Sequence, residues 1–221
     1  MARLQMQRGH MKRVVGRPRK GENREGAPSS RDQIAAAAAD VFAERGFEGA
    51  SLDVIAERAG FSMGAIYHHF AGKPDLLIAV VDYALRSHDF PSAADGQPVE
   101  ILEWLNFPQV YLDPANKQLR RLAAEIHTAA SRYPDVATLL SAFSGGVTAD
   151  IVRSIDAAKR LGLIAPAVES ENTARMFMVN CVGLVHIDTF YPALLGDPSW
   201  TEFVLKSLRS VLGFTGSERA P

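Results

Sequence analysis

The sequence predicts an all-α protein. Apolar residues recur at intervals of three and four between punctuating glycines and prolines, and no alternating strand pattern lasts more than a few residues. Hydrophobic residues make up 47% of the 221, enough for a substantial core. No internal repeat is found.

Residues 1–29 are dominated by Gly, Pro, Ser, Arg and Lys without an apolar period, and read as a disordered arm. Ser30 is placed to cap a first helix, in which Ile34, Ala37, Ala38, Val41 and Phe42 share a face and which Gly46 ends. Its alanine run favours helix at little side-chain entropy cost. Ser51 caps a second helix carrying Leu52, Ile55, Ala56 and Ala59, and Gly60 stops it. Ser62 caps a third, with Ile66, Tyr67 and Phe70. After Gly72-Lys73, Pro74 suits the first turn of a fourth helix, with Leu76, Leu77, Val80 and Leu85 as apolar positions. Beyond Pro91 longer helices are expected at about 98–107, 116–132, 135–161, 169–192 and 198–213.

Charge is unevenly spread. Met1–Arg31 holds nine basic residues against Glu22 and Glu25, while acidic residues outnumber basic ones afterwards. A basic arm on an acidic body suggests a polyanionic partner for the arm; a solvated tail is the bland alternative. The single cysteine, Cys181, excludes an internal disulfide and a cysteine-based zinc site, and fits a reducing cytoplasm. No secretory signal is evident. The most apolar stretch, Met176–Leu195, contains Asn180, His186, Asp188 and Pro192, and reads as a buried helix rather than a membrane span.

Residues 51–70, SLDVIAERAGFSMGAIYHHF, fit a helix-turn-helix unit. Ala56 sits where the two helices approach, Gly60 turns the chain, and Leu52, Ile55, Phe61, Ile66 and Phe70 fill the shared core. Ser62, Met63, Gly64, Ala65, His68 and His69 then point outward. In such a unit the N-terminal residues of the second helix meet base edges in the major groove. Small side chains there let the backbone come close to DNA. Ser62 can donate to a phosphate at a helix N-terminus that itself favours an anion, and Ser51 caps the preceding helix. Tyr67 and Lys73 are expected to hold phosphates and so fix register; His68 suits either role. Ala65 or Met63 can touch a thymine methyl. An ordinary helical hairpin shows the same spacing.

Residues 31–85 as a whole resemble the TetR/AcrR family of one-component transcriptional regulators. The likeness is carried by IAAAAADVFAERGFEGASLDVIAERAGFSMGAIYHHFAGKPDLL, whose A…F…G, I-A, A-G and Y-H-H-F..K..L-L features match the family's helices one to four and cover about a quarter of the chain. Two departures stand out: Met63 where the family often has Lys, and Ala50 followed by Ser51 where it often has Thr or Ser. Residues 32–80 carry seven acidic residues against Arg45, Arg58 and Lys73, so few charged contacts are expected from the recognition helix. That shifts weight to GRPRKG at 16–21, which resembles the core of an AT-hook: Arg17, Arg19 and Lys20 can enter a narrow A·T-rich minor groove.

Behind the basic arm over 1–29, the resemblance implies a helix-turn-helix DNA-binding domain over 30–73 and a ligand-binding and dimerisation domain over 74–215. Trp200, Phe203, Val204, Leu208, Val211 and Leu212 form a stripe, and the helix from Thr173 to Tyr191 is apolar around most of its circumference. Doubled by a two-fold axis, these last two helices would make a four-helix homodimer interface matching two half-sites. Trp104, Phe107 and Tyr111 stand where pocket walls are usual. Phe143 opens an i, i+4 stripe beside Gly145-Gly146, which mark a kink, a space for ligand or a packing contact. Phe177 is a further apolar candidate. Polar residues in apolar helices, Glu125, His127, Asn180, His186 and Asp188, are candidates for orienting a ligand or are simply satisfied polar groups.

The expected partners are therefore a double-stranded DNA operator, a second copy of the chain, and a mainly hydrophobic effector. In the family, ligand usually relieves repression, and activators exist. A regulator driven by a protein partner, or acting without ligand, would share every DNA feature. No cofactor, metal or enzyme motif appears: HExxH, GxSxG, P-loop and dinucleotide glycine patterns are missing. His68 and His69 diverge by about 100° on a helix, a poor metal pair.

Overall fold

The computed structural model describes residues 28–87, 91 and 100–214. Eleven α-helices are found among them and no strand; one isolated bridge joins Ile164 to Phe214. Arg17, Arg19 and Lys20 lie outside the described residues.

α1 (Ser30–Gly49) is capped one residue earlier than expected. Ser29 Oγ accepts the Asp32 N–H at 3.1 Å and donates to the Asp32 carboxylate at 2.7 Å, so the side chain most able to cap is the one outside the helix. Gly46 breaks α1 as expected, with φ 72° and ψ 164°, a region open essentially to glycine alone. The chain then makes one more turn to Gly49. α2 (Leu52–Ala59) and α3 (Met63–His69) begin at Ser51 and Ser62 and flank the left-handed Gly60 (φ 71°). α4 runs Lys73–Ser87.

α5 (Ile101–Asn106) and α6 (Gln109–Leu112) are two short helices broken at Pro108. A 3-10 turn at Pro114–Asn116 leads into α7 (Lys117–Ala130), then α8 (Pro134–Arg160). The long helix expected over 169–192 is in fact two, α9 (Ser170–Val185) and α10 (Ile187–Phe190), parted at His186, whose φ of −96° and ψ of 8° leave the helical region. A 3-10 turn, Pro192–Leu194, precedes α11 (Pro198–Val211).

Two cores form. α1–α4 close around Ile34, Phe42, Ile55, Ile66 and Leu76, joined by Ile126, Ala129 and Val136 from α7 and α8. The second gathers α5, α6 and α8–α11 around Trp104, Ile151, Ile155, Phe177 and Leu208. α8 is long and apolar enough to cross a membrane by length and composition alone. Here it packs along α9, α4, α7 and α5.

Candidate nucleic-acid interface and ligand pocket

The α2–turn–α3 unit is built by its caps. Ser51 Oγ accepts the Val54 N–H at 3.4 Å and Ser62 Oγ accepts the Ala65 N–H at 3.2 Å. Gly60 N–H bonds back to Glu57 O and Phe61 N–H to Ala56 O, reversing the chain in a few residues. Ile66 and Phe70 are buried, which turns Ser62, Gly64, Tyr67 and His68 to solvent; Tyr67 is 59% exposed. Met63 and Ala65 are half-buried, Met63 packing against the first core, and His69 lies beside His68 with ring centroids 5.1 Å apart.

Lys73 does something other than expected. Its ammonium donates to Phe47 O at 2.7 Å, Glu48 O at 3.2 Å and Ala50 O at 3.2 Å, and stands 4.6 Å from the centre of the Phe47 ring. An ammonium has three protons, and all three are committed to carbonyls at the end of α1. Lys73 is thus a clamp on the α1–α2 loop rather than a side chain held out for a phosphate. Arg31, which sequence reasoning passed over, lies at the C-terminal end of α3: it donates to His69 O at 3.3 Å and covers the Phe70 ring at 4.8 Å. Among the described residues it forms no ion pair, whereas Arg58 is held by both Glu44 oxygens at 3.0 and 2.8 Å.

The second site is a cavity of about 690 Å³, counting space open to solvent, bounded by α4, α5–α6, α7, α8 and α9. Four expected residues line it: Phe107, Tyr111, His127 and Phe143. Four do not. Trp104 is buried in the second core, its indole N–H donating to Ser154 Oγ at 3.1 Å. Phe177 is fully buried in the same core. Asn180 is exposed and donates to Met176 O at 2.8 Å, as a side chain one turn along its own helix readily does. Asp188 accepts from Arg120 Nε at 2.7 Å and Nη2 at 3.2 Å, satisfying a guanidinium only 1% exposed that also donates to the Tyr111 and Asp113 carbonyls. Glu125 likewise turns away from the cavity and accepts the Phe47 N–H at 3.0 Å.

Sequence reasoning missed Cys181, Met178 and Ser144 among the lining residues, and the end of α4, Ala84 and Leu85. Cys181 belongs to the buried spacing Ala174, Phe177, Cys181, Val185, which was legible as a face but not as a cavity wall. Burial pushes the Cys181 thiol and the Tyr111 phenol each up to about 12, so both are neutral at ordinary pH. Gly145 and Gly146 do not kink α8; a Cβ at either would meet open space. Among the described residues no group of three or more His, Cys, Asp or Glu side chains is arranged to hold a metal ion.

The chain is similar to known transcriptional regulators. Residues 34–80 match the family model of bacterial regulatory proteins, tetR family. The chain is 26% identical over 155 residues to the HTH-type transcriptional regulator UidR of Escherichia coli strain K12, covering 69% of this chain and 78% of that protein. It is 43% identical over 70 residues to the HTH-type transcriptional activator FasR of Mycolicibacterium smegmatis, about 32% of each chain. Among solved structures, Salmonella enterica GusR superposes with a TM-score of 0.63 at 25% identity, over 83% of this chain and 95% of its own.

Proposed function

We propose that the chain, whose residues 34–80 match the family model of bacterial regulatory proteins, tetR family, and which is similar over most of its length to UidR, is a regulator of that family that binds an operator as a homodimer and is released by a mainly hydrophobic small molecule. The observation that carries this reading is one helix serving two places. α4 begins at the Lys73 clamp on the helix-turn-helix and ends with Ala84 and Leu85 in the cavity wall. α7 does the same from the other side, with His127 in the cavity and Glu125 on Phe47. A ligand that displaces either helix alters the separation of two recognition helices, which must match major grooves about 34 Å apart.

The exposed small-residue start of α3 is the base-reading face, with Ser62, Gly64 and Ala65 close to the bases, Tyr67 on a phosphate and His68 on either. Arg17, Arg19 and Lys20 add minor-groove contacts in this reading. Dimerisation through α9 and α11 is supported by large apolar side chains left open on them: Val179 is 65% exposed and Phe203 61%. Paired across a two-fold axis they would be covered. The work of such a protein is in the cytoplasm, with the DNA. FasR, by its name an activator, makes activation the second reading of the sign.

The test is a salt-dependent titration against the DNA upstream of the coding sequence, with random DNA as control. Sequence-selective binding by a dimer is expected, and Tyr67→Ala should weaken it while leaving folding and dimerisation intact. Equal affinity for random DNA, or an unchanged affinity in Tyr67→Ala, counts against the placement of α3.

A further inference from the structure

The wall of the cavity includes a polar atom that the protein itself leaves unanswered. His127 Nδ1 is closed off from solvent and has no hydrogen-bond partner, in a side chain that lines the cavity. Nearly all buried polar groups in native proteins are paired, so an orphan within a cavity wall asks what else supplies its partner. The ring beside it, His186, has its centroid 6.0 Å away. Burial, and then the neighbouring His186, hold the His127 imidazole below its ordinary pKa, so it is neutral near pH 7.

The rest of the lining narrows the chemistry. Among the described residues, no Asp, Glu, Lys or Arg lines the cavity. Arg120, on the same helix, is fully committed to Asp188 and two carbonyls. The thiol of Cys181 and the phenol of Tyr111 carry no charge there. A carboxylate or ammonium entering this space would lose its hydration without meeting an opposite charge. A bare hydrocarbon would fit the apolar walls but leave the nitrogen unmatched. A hydroxyl both donates and accepts, so it satisfies Nδ1 whichever ring nitrogen carries the single proton.

The geometry points to an effector that is uncharged, largely apolar and bears a hydroxyl, with His127 Nδ1 as the atom that recognises that hydroxyl. This rests on the ligand-responsive reading above and adds the class of ligand to it.

Three probes on one frame test it by calorimetry on the full chain: 2-naphthol, 2-methylnaphthalene and 2-naphthoate. The hydroxyl compound is expected to bind about tenfold more tightly than the methyl compound, the free-energy equivalent of one hydrogen bond. Naphthoate is expected to bind most weakly. In His127→Leu the naphthol advantage should fall to near one while methylnaphthalene still binds; His127→Gln, which keeps a hydrogen-bonding atom, should retain part of it. His127→Phe replaces the leucine variant if that one loses the wild-type circular dichroism. A wild-type ratio near one, an advantage that survives His127→Leu, tightest binding by naphthoate, or no binding by any probe each overturns the inference, and the wild-type ratio decides without any variant. DNA binding is followed separately on the same preparations. Its loss with the naphthol preference intact overturns the regulator reading alone; its presence without that preference overturns only the choice of ligand.

Discussion

Glu125 of α7 accepts the backbone N–H of Phe47 at 3.0 Å, across 78 positions of sequence, where α1 breaks at Gly46. The break would otherwise leave that N–H without its helical acceptor. A carboxylate from the cavity-lining helix thus completes a helix of the DNA-binding unit. Glu125→Leu should destabilise the fold by about 2 kcal/mol, the scale of a hydrogen bond to a charged group. Urea unfolding measures it. A change below about 0.5 kcal/mol, the scatter of surface substitutions, would deny the bond its role.

Lys73 offers a sharper discrimination. If it clamps the loop through Phe47, Glu48 and Ala50, Lys73→Met lowers thermal stability and weakens DNA binding by loosening Ser51, but leaves the salt dependence of binding unchanged. If it neutralises a phosphate, the slope of log K against log salt falls by about one. A reduced slope with unaltered stability would restore the phosphate role.

Asp188→Asn should cost about 2–3 kcal/mol. Arg120 would keep its two carbonyl acceptors yet lose the charge opposite a buried guanidinium, and removing one partner of a fully buried pair costs more than this. Asp188 is one-quarter exposed, which moderates the figure. Chemical denaturation at neutral pH measures it, and a variant as stable as wild type would sink the argument.

His127 gives stability a pH dependence. Its folded pKa lies below the ordinary 6.5, through burial first and His186 second. Between the two values the unfolded chain holds a proton that the folded chain does not. Stability is therefore full above 6.5, falls as pH drops towards the lowered folded value, and levels off below it. Urea midpoints across pH 7.5 to 5 should fall further for wild type than for His127→Leu. Parallel curves would mean that the imidazole titrates alike in both states.

The caps of α2 and α3 and the turn at Gly60 were legible because they are local chemistry: Ser51, Gly60 and Ser62 act within four residues of themselves. Gly46 was legible as a stop, but not its dependence on Glu125, since nothing local ties residue 125 to residue 47. The pocket was half legible for the same reason. Phe107, Tyr111, His127 and Phe143 were found by type and place, while Trp104 and Phe177 have identical credentials and fill the core instead. Which side of a helix faces a void depends on its neighbours, and periodicity does not report them. Of the two readings open for Asp188, the satisfied polar group is the one found, and its partner Arg120, 68 residues away, could not be named from local pattern.

α4 is a strut fixed at both ends. Its 15 residues span about 22 Å at 1.5 Å per residue, and a hydrogen-bonded helix of that length resists bending. A tilt of about 5° pivoted at Leu85 would carry Lys73, twelve residues away, through roughly 1.6 Å. In the proposed ligand response no chain of relayed contacts would be needed to turn a small intrusion into a misaligned grip: leverage would suffice, its gain set by helix length.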